Sequence, residues 1–418
     1  MAGANVAALA YLTKTVYEDP ANQIDTATVL NTLCAKAKSK ENLTGNLQQF
    51  PVRIAYSEAT AFQPDGGSLP TPGVRSGALS QVYPMYMYGT VQVSGPAADQ
   101  IRQGDGAYVS LLQDELDGMM ENLALEKNRA LFNDGSGAMG QVGSTGGSGP
   151  YTITLSAGTN PYVFRQNMSL TAYTQRTGGS QRVGGPMIVQ NVDYGNGILT
   201  VNTLCTSLSA NDYLFNANSA FNSNSGAAFL EPMGLLGIVD DGTFVPTLQG
   251  LARSSYPIWK AQTWGTWGGS SALSLAQIRQ AFSRNGAMGG KVDYMISTPG
   301  VRDAYVALIE PDRRYVDTED IDGGFNAVAY TNAGRKVLWV VDKDGPRGVL
   351  FGITLEQLEN FEWRRLDWDD RSGDIWKQGL TGSGSYSDAY WAMAKAYWQF
   401  GTRRCNSHFR IAGIQEVE

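Results

Sequence analysis

Apolar and polar positions alternate along two stretches early in the chain. Val52, Ile54 and Tyr56 alternate with polar residues, and Met85, Met87, Gly89, Val91 and Val93 alternate with Tyr86, Tyr88, Thr90 and Gln92. A period of two puts one set of side chains on each face of a strand. The two stretches predict a long hairpin from Leu47 to Ser94. The connector between them, about 57–80, holds Pro64, Gly66, Gly67, Pro70, Pro72, Gly73 and Gly77. Such a long connector without elements of its own is uncommon inside a compact domain, and it predicts an exposed arm that meets partners in trans. A two-stranded ribbon is marginal alone, so it must lie on something else.

The period then changes. Leu112, Leu116, Met119, Leu123 and Ala130 keep a spacing of three or four, with acidic residues between them. This predicts a helix over about 107–133, long enough at roughly 40 Å to act as a strut. Gly135 and Gly137 end it. Further upstream, Thr26 can cap a shorter helix running to about Lys40, with Val29, Leu30 and Leu33 on one face. Lys36, Lys38 and Lys40 read either as a contact for an acidic partner or, more simply, as a solvated helix end near its negative pole.

Charge almost disappears between Gly135 and Leu235, where Arg165, Arg176, Arg182, Asp193, Asp212 and Glu231 are the only charged residues. The glycines from Gly135 to Gly149 give that stretch a linker composition. Short strand-like runs follow at Tyr151–Leu155, Pro161–Phe164, Met168–Tyr173, Met187–Val192, Ile198–Leu204 and Tyr213–Phe215. Tyr194-Gly195-Asn196-Gly197 is a hairpin signal between two of them. Together they predict a small all-β domain, a barrel or sandwich, inserted into a parent fold. Beyond it, Ser274–Phe282 and Val301–Ile309 are amphipathic helices flanking a strand at Asp293–Ser297. Val337–Val341 and Val349–Ile353 read as buried strands joined by a turn at Asp344-Gly345-Pro346. A long aromatic strand, Tyr390–Phe400, leads into a last one over Asn406–Ile414. No internal repeat is visible.

Composition narrows the function. At 418 residues the length implies two or three domains of about 150 residues each. Charged residues are 17% of the chain, against a norm of about 25%, and glycines number 49. A chain poor in charge and rich in glycine and aromatics is expected to bury much of its surface against neighbours. The net charge of -7 argues against tight nucleic-acid binding, which needs a basic face. The longest apolar run, Val6 to Leu12, falls short of the roughly 20 residues of a membrane span, and no basic segment precedes it. Cys34, Cys205 and Cys405 lie far apart, which fits a reducing compartment and no disulfide scaffold. These features predict a soluble protein of the cytoplasm.

Candidate chemistry fails motif by motif. His408 is the only histidine, too few for a His-rich metal site or a paired relay. Gly135-Ser136-Gly137-Ala138-Met139-Gly140 has the spacing of a phosphate-cradling turn, but a helix precedes it where the mechanism needs a strand. Gly290-Lys291 lacks the hydroxyl and the first glycine of a P-loop. Asp367, Asp369, Asp370 and Asp374 could suggest a cation site, yet Arg371 stands where a calcium loop needs an oxygen ligand. A solvated acidic turn beside Arg364 and Arg365 fits better. No catalytic residue, cofactor or metal is expected.

The order of parts resembles the tailed-bacteriophage major capsid protein family. Tyr83-Pro84-Met85-Tyr86-Met87-Tyr88-Gly89-Thr90-Val91-Gln92-Val93-Ser94-Gly95 looks like the returning strand of that family's extended loop, running into its spine helix. Gly234-Leu235-Leu236-Gly237-Ile238-Val239-Asp240-Asp241 and Gly250-Leu251-Ala252-Arg253-Ser254-Ser255-Tyr256-Pro257 look similar to its passage back into the core. The resemblance implies an α+β chain with a tailed-phage major capsid fold: N-terminal arm, extended β-hairpin loop, spine helix, peripheral and axial domains, plus an inserted small all-β domain. On that scheme residues 1–45 are the arm, 46–96 the extended loop, and 97–145 the peripheral domain with the spine helix. Residues 146–232 are the inserted β domain, 233–345 the return to the core and the axial domain, and 346–418 the rest of the peripheral domain.

The implied function is a structural subunit, assembling as hexamers and pentamers into the icosahedral head of a tailed phage. The head encloses double-stranded DNA without sequence-specific binding, is built in the host cytoplasm, and works with a scaffolding protein, a portal and a cement or decoration protein. No membrane and no enzymatic activity are implied. Arg53, Arg75, Tyr83, Met85, Tyr86 and Tyr88 are the expected assembly-interface residues, and deleting Thr60 to Ser80 is expected to spare the subunit fold. Two alternatives stay open: an encapsulin-like nanocompartment shell, and a soluble enzyme or sugar-binding protein with a β insertion.

Overall fold

The computed structural model describes residues 28–37, 45–54, 60–71, 77–102, 106–219, 231–309, 318–321, 325–332, 335–370, 374–380 and 386–417. The arm helix runs Val29–Lys36 and starts at Thr28, whose hydroxyl accepts from the Asn31 N–H. The expected cap, Thr26, and the expected end, Lys40, lie outside the described residues. Val29, Leu30, Leu33 and Cys34 are buried, so this short helix is fixed by its apolar face more than by its own propensity.

The expected hairpin does not form as paired. Gln48–Arg53 pairs instead with Gly77–Val82, in antiparallel register from Gln48 opposite Val82 to Arg53 opposite Gly77. Part of the presumed connector is therefore a strand. The alternating strand Met85–Ser94 pairs with Tyr386–Thr402, the longest strand among the described residues. That long strand takes Met85–Ser94 on one edge and, in succession, Lys377–Leu380 and Leu358–Trp368 on the other.

One face of this sheet is covered by the long helix, Gly106–Phe132, close to the expected span. Leu116, Met120, Leu123 and Ala124 point into the shared core with Val91 and Val93. Gly89 makes the close approach possible. A Cβ there would come within 2.7 Å of Leu123 Cδ1 and 3.1 Å of Met119 Sδ, so the helix rests on bare backbone.

The low-charge region closes into a six-stranded barrel from Ala138 to Asn216, with its own core around Val142, Phe164, Leu170, Val189 and Leu199. Its first strand, Ala138–Gly146, occupies the stretch expected to be a glycine-rich linker. The pairing shifts register between Val142 and Ser144, where a Cβ on Gly143 would lie 3.2 Å from the Thr154 and Leu155 carbonyl oxygens. Glycine there serves a bulge. The expected strand at Pro161–Phe164 is a 3-10 turn, Pro161–Val163, capped by the Asn160 side chain. The hairpin at 194–197 forms, with Asp193 opposite Ile198.

The remaining core is a seven-stranded mixed sheet, in the order Gln262–Trp264, Phe409–Ile411, Leu350–Ile353, Tyr294–Ser297, Arg335–Val341, Phe325–Asn332 and Thr318–Ile321. Tyr294–Ser297 lies between the two strands expected to be neighbours through their turn, parallel to Arg335–Val341 and antiparallel to Leu350–Ile353. Helices Leu275–Ala287 and Pro299–Ile309 share a core with alternate strand residues such as Met295, Trp339 and Leu350. Their neighbours Ile296, Val340 and Phe351 face the main core instead. That alternation is the period of two seen in the sequence. The expected last strand is shorter than predicted, because Cys405–Ser407 is a 3-10 turn.

Candidate assembly surfaces

Exposed aromatic side chains mark the uncovered face of the sheet. Tyr86 and Tyr88 project from Met85–Ser94 away from the long helix, each about half exposed. Tyr397 on the long strand meets both edge to face, with ring centroids 5.0 Å from Tyr86 and 6.4 Å from Tyr88. Trp391, further along the same strand, is 43% exposed. Edge-to-face pairs of this kind set large, stiff, amphipathic side chains ready for contact at low entropic cost.

The other expected residues are dispersed. Tyr83 and Met85 line a groove of about 660 Å³ with Met233, Phe244, Leu248 and Phe400 at the base of the arm. Arg53 ends its strand in an exposed position. Arg75 lies outside the described residues. Sequence reasoning missed Tyr397 and Trp391 as site residues, although both sit in the stretch it marked as aromatic. The arm segment 60–71 carries Phe62 and Leu69, which are 107% and 88% exposed. A turn at Pro64, closed by the Gly67 N–H on the Pro64 carbonyl at 2.9 Å, separates them. Two large apolar side chains left in water by their own chain are unusual and mark a contact surface.

Asp367, Asp370 and Asp374 of the expected acidic turn are exposed, whereas Asp369 is buried and paired. Asp369 accepts from Lys377 Nζ at 2.9 Å and from Lys395 Nζ at 2.8 Å. Those hydrogen bonds, the stronger from Lys395, hold its carboxyl down to about 2. Arg364 donates to the Trp368 carbonyl, and 371–373 lie outside the described residues. His408 is fully buried; its Nδ1 accepts from the Thr354 N–H at 3.2 Å and its Nε2 lies 3.1 Å from the Thr402 hydroxyl. Burial pushes it down to about 3, so it is a neutral structural ring. Cys34, Cys205 and Cys405 are buried and in no disulfide. Among the described residues, no group of three His, Cys, Asp or Glu could hold a metal, and no helix is long and apolar enough to cross a membrane.

Some charges of the low-charge region tie the barrel to its surroundings, and others brace it internally. Arg165 binds Glu126 at 3.0 Å and Arg176 binds Asp134 at 2.5 Å, both on or just past the long helix. Glu231 binds Arg129 at 2.5 Å, Arg182 pairs with Asp212, and Asp193 caps Asn196. Asn160 adds two hydrogen bonds of 2.6 Å to the Lys343 and Gly345 carbonyls.

The two passages read as a return to the core meet at one buried carboxylate. Asp240 Oδ2 accepts from the N–H groups of Gly242, Phe244 and Val245 and from Arg253 Nη1 at 3.0 Å. Arg253 also donates to the Gly237, Ile238, Val245 and Trp259 carbonyls, and Arg410 reaches Asp240 Oδ1 at 3.3 Å. Both Asp240 and Arg253 are closed to solvent.

Neither a protein-family model nor a curated protein sequence matches the chain. Solved structures do. The capsid asymmetric unit of cyanophage A-1(L) is 13% identical, with 92% of each chain covered and a TM-score of 0.50. Gordonia phage Cozz gives 10% identity over 91% of this chain and 85% of that one, at a TM-score of 0.45. An encapsulin complex from Synechococcus elongatus gives 9% over 87% and 82%, at 0.38. The last two scores are too low to carry weight; the first shows the fold. The chain has the tailed-phage major capsid fold expected from its sequence, with a β barrel set into it.

Proposed function

We propose that this chain is the major capsid protein of a tailed phage, assembling as hexamers and pentamers into the shell around a double-stranded DNA genome. The observation that supports the reading is a capsid fold that leaves Phe62, Leu69, Tyr86 and Tyr88 exposed on its own surface. Residues 46–96 act as the extended loop, 97–145 hold the spine helix, and 146–232, with the strand from Ala138, form the inserted domain. Residues 233–345 form the axial part and 346–418 return to the peripheral part. Arg53, Arg75, Tyr83, Met85, Tyr86 and Tyr88 contribute to contacts between copies. The acidic balance keeps the wall from holding the genome tightly. Scaffolding, portal and cement proteins complete the head, which is built in the host cytoplasm. Purified protein should sediment as large particles, and a lasting monomer would count against the reading.

The shell is held without covalent bonds through the loop. Some relatives in the resembled family join a loop lysine to an asparagine on a neighbour, which needs a primary amine that can lose its proton. A guanidinium cannot serve. No lysine occurs between Lys40 and Lys127. Assembled particles boiled in detergent with reductant should run as one band near 45 kDa. A ladder of dimers to hexamers would contradict this.

A further inference from the structure

A polar knot joins the arm helix, the long helix and the turn after Arg335–Val341. Asn128, fully buried on the long helix, donates from Nδ2 to Asp342 Oδ1 and Oδ2 at 3.2 Å and to Asp344 Oδ2 at 2.7 Å. Its own Oδ1 accepts from the Thr28 hydroxyl at 2.8 Å. Thr28 is the residue that caps the arm helix. The arm helix is also tied to the long helix by Asn31, which donates to the Ala124 carbonyl at 3.5 Å.

Two carboxylates converging on one amide nitrogen is an arrangement that disfavours two negative charges. Asp342 and Asp344 are each 7% exposed, and their oxygens cannot be more than about 6 Å apart. Compensation nearby is thin among the described residues. On the turn itself, Lys343 is exposed and its charge favours the ionised Asp342, as does the Asp344 N–H that donates to Asp342 Oδ1 at 3.0 Å. From the long helix, Arg129 lines the same cavity as Asp344 but is held by Glu126 and Glu231. From the strand Tyr294–Ser297, the Ser297 carbonyl takes the backbone N–H of Asp342, and the arm helix places the uncharged Thr28 hydroxyl on Asn128.

We infer that Asp342 and Asp344 form a proton-operated latch through Asn128. With a proton on the pair, the arm helix is locked to the long helix and to the mixed sheet; without it, the arm helix loosens. Burial, with the neighbouring Asp344 charge adding to it, raises Asp342 from 3.8 to about 6. A group raised in the folded state contributes fully below its unfolded value and loses that contribution as the pH rises through the folded one. The latch is therefore closed at pH 4 and weakened above about pH 6. This inference is independent of whether the chain builds shells, because it concerns contacts within one subunit.

The test must be local. His408, buried and neutral, makes whole-chain stability fall as the pH drops below 6.5, opposite in sign to the latch. Hydrogen exchange of peptides covering 28–37, corrected for its intrinsic pH dependence, isolates the arm helix. In the parent chain, opening should be favoured by up to about sixtyfold more at pH 7.5 than at pH 4, the factor that follows if opening returns Asp342 from about 6 to its ordinary 3.8. Asp342→Asn, a near-isosteric neutral stand-in for the protonated acid, should hold the helix closed at both pH values, and Asp344→Asn serves as a second variant. Corrected exchange in the parent that does not change with pH, or a variant that keeps the parent's slope, overturns the inference.

Discussion

Replacing Asp240 with alanine should cost the fold about 3–5 kcal/mol, the usual penalty for leaving a buried charge without its partner. Arg253 and Arg410 would then face each other with no carboxylate between them, and the Gly242, Phe244 and Val245 N–H groups would lose their acceptor. Stabilities of whole domains are only about 5–15 kcal/mol, so much of the expressed variant should be insoluble. Asp114→Ala, at an exposed position on the long helix, is the control and should shift stability by less than about 0.5 kcal/mol. Denaturant midpoints at neutral pH measure both. A loss below about 1 kcal/mol for Asp240→Ala would mean that the network is dispensable, against the usual behaviour of buried pairs.

Removing the arm tip should do the reverse, sparing the subunit and abolishing the particle. Replacing residues 61–70 with a short Gly/Ser linker takes away Phe62 and Leu69, which are exposed in their own chain. The wider deletion to Ser80 that the sequence suggests would also remove residues of Gly77–Val82 that pair with Gln48–Arg53, including the fully buried Ser80. With the narrower cut, the thermal midpoint should stay within a few degrees of the parent. Burying one such side chain is worth about 1.5–3 kcal/mol. Repeated at every contact of a shell, losing two of them per copy should leave only free subunits or capsomers in sedimentation. Intact shells from this variant would remove the arm from the account.

The sequence was most legible where local pattern decides structure. The long helix announced itself through Leu116 and Leu123, and most barrel strands through short β-branched runs between turns. Pairing was less legible. Alternation showed that Met85–Ser94 is a strand, but not that its partner is Tyr386–Thr402, because register between distant segments leaves no local trace. Glycines misled in one direction: the stretch from Gly135 reads as a linker, yet a strand with a bulge at Gly143 occupies it. Pro161 misled in the other, since its fixed φ suits the 3-10 turn that Asn160 caps. Of the candidate surface, Tyr86 and Tyr88 were readable from their strand phase. Tyr397 and Trp391 join them only through cross-strand neighbourhood. The carboxylates that meet at Asn128 are more than two hundred residues from it in sequence, so no spacing argument finds them.

Electron microscopy of the purified full-length chain tests the central claim most directly. The account predicts closed, thin-walled shells of uniform diameter with hexameric and pentameric units on their surface, and their loss when 61–70 is replaced. A uniform population of single subunits, under conditions in which the chain is folded, would contradict it.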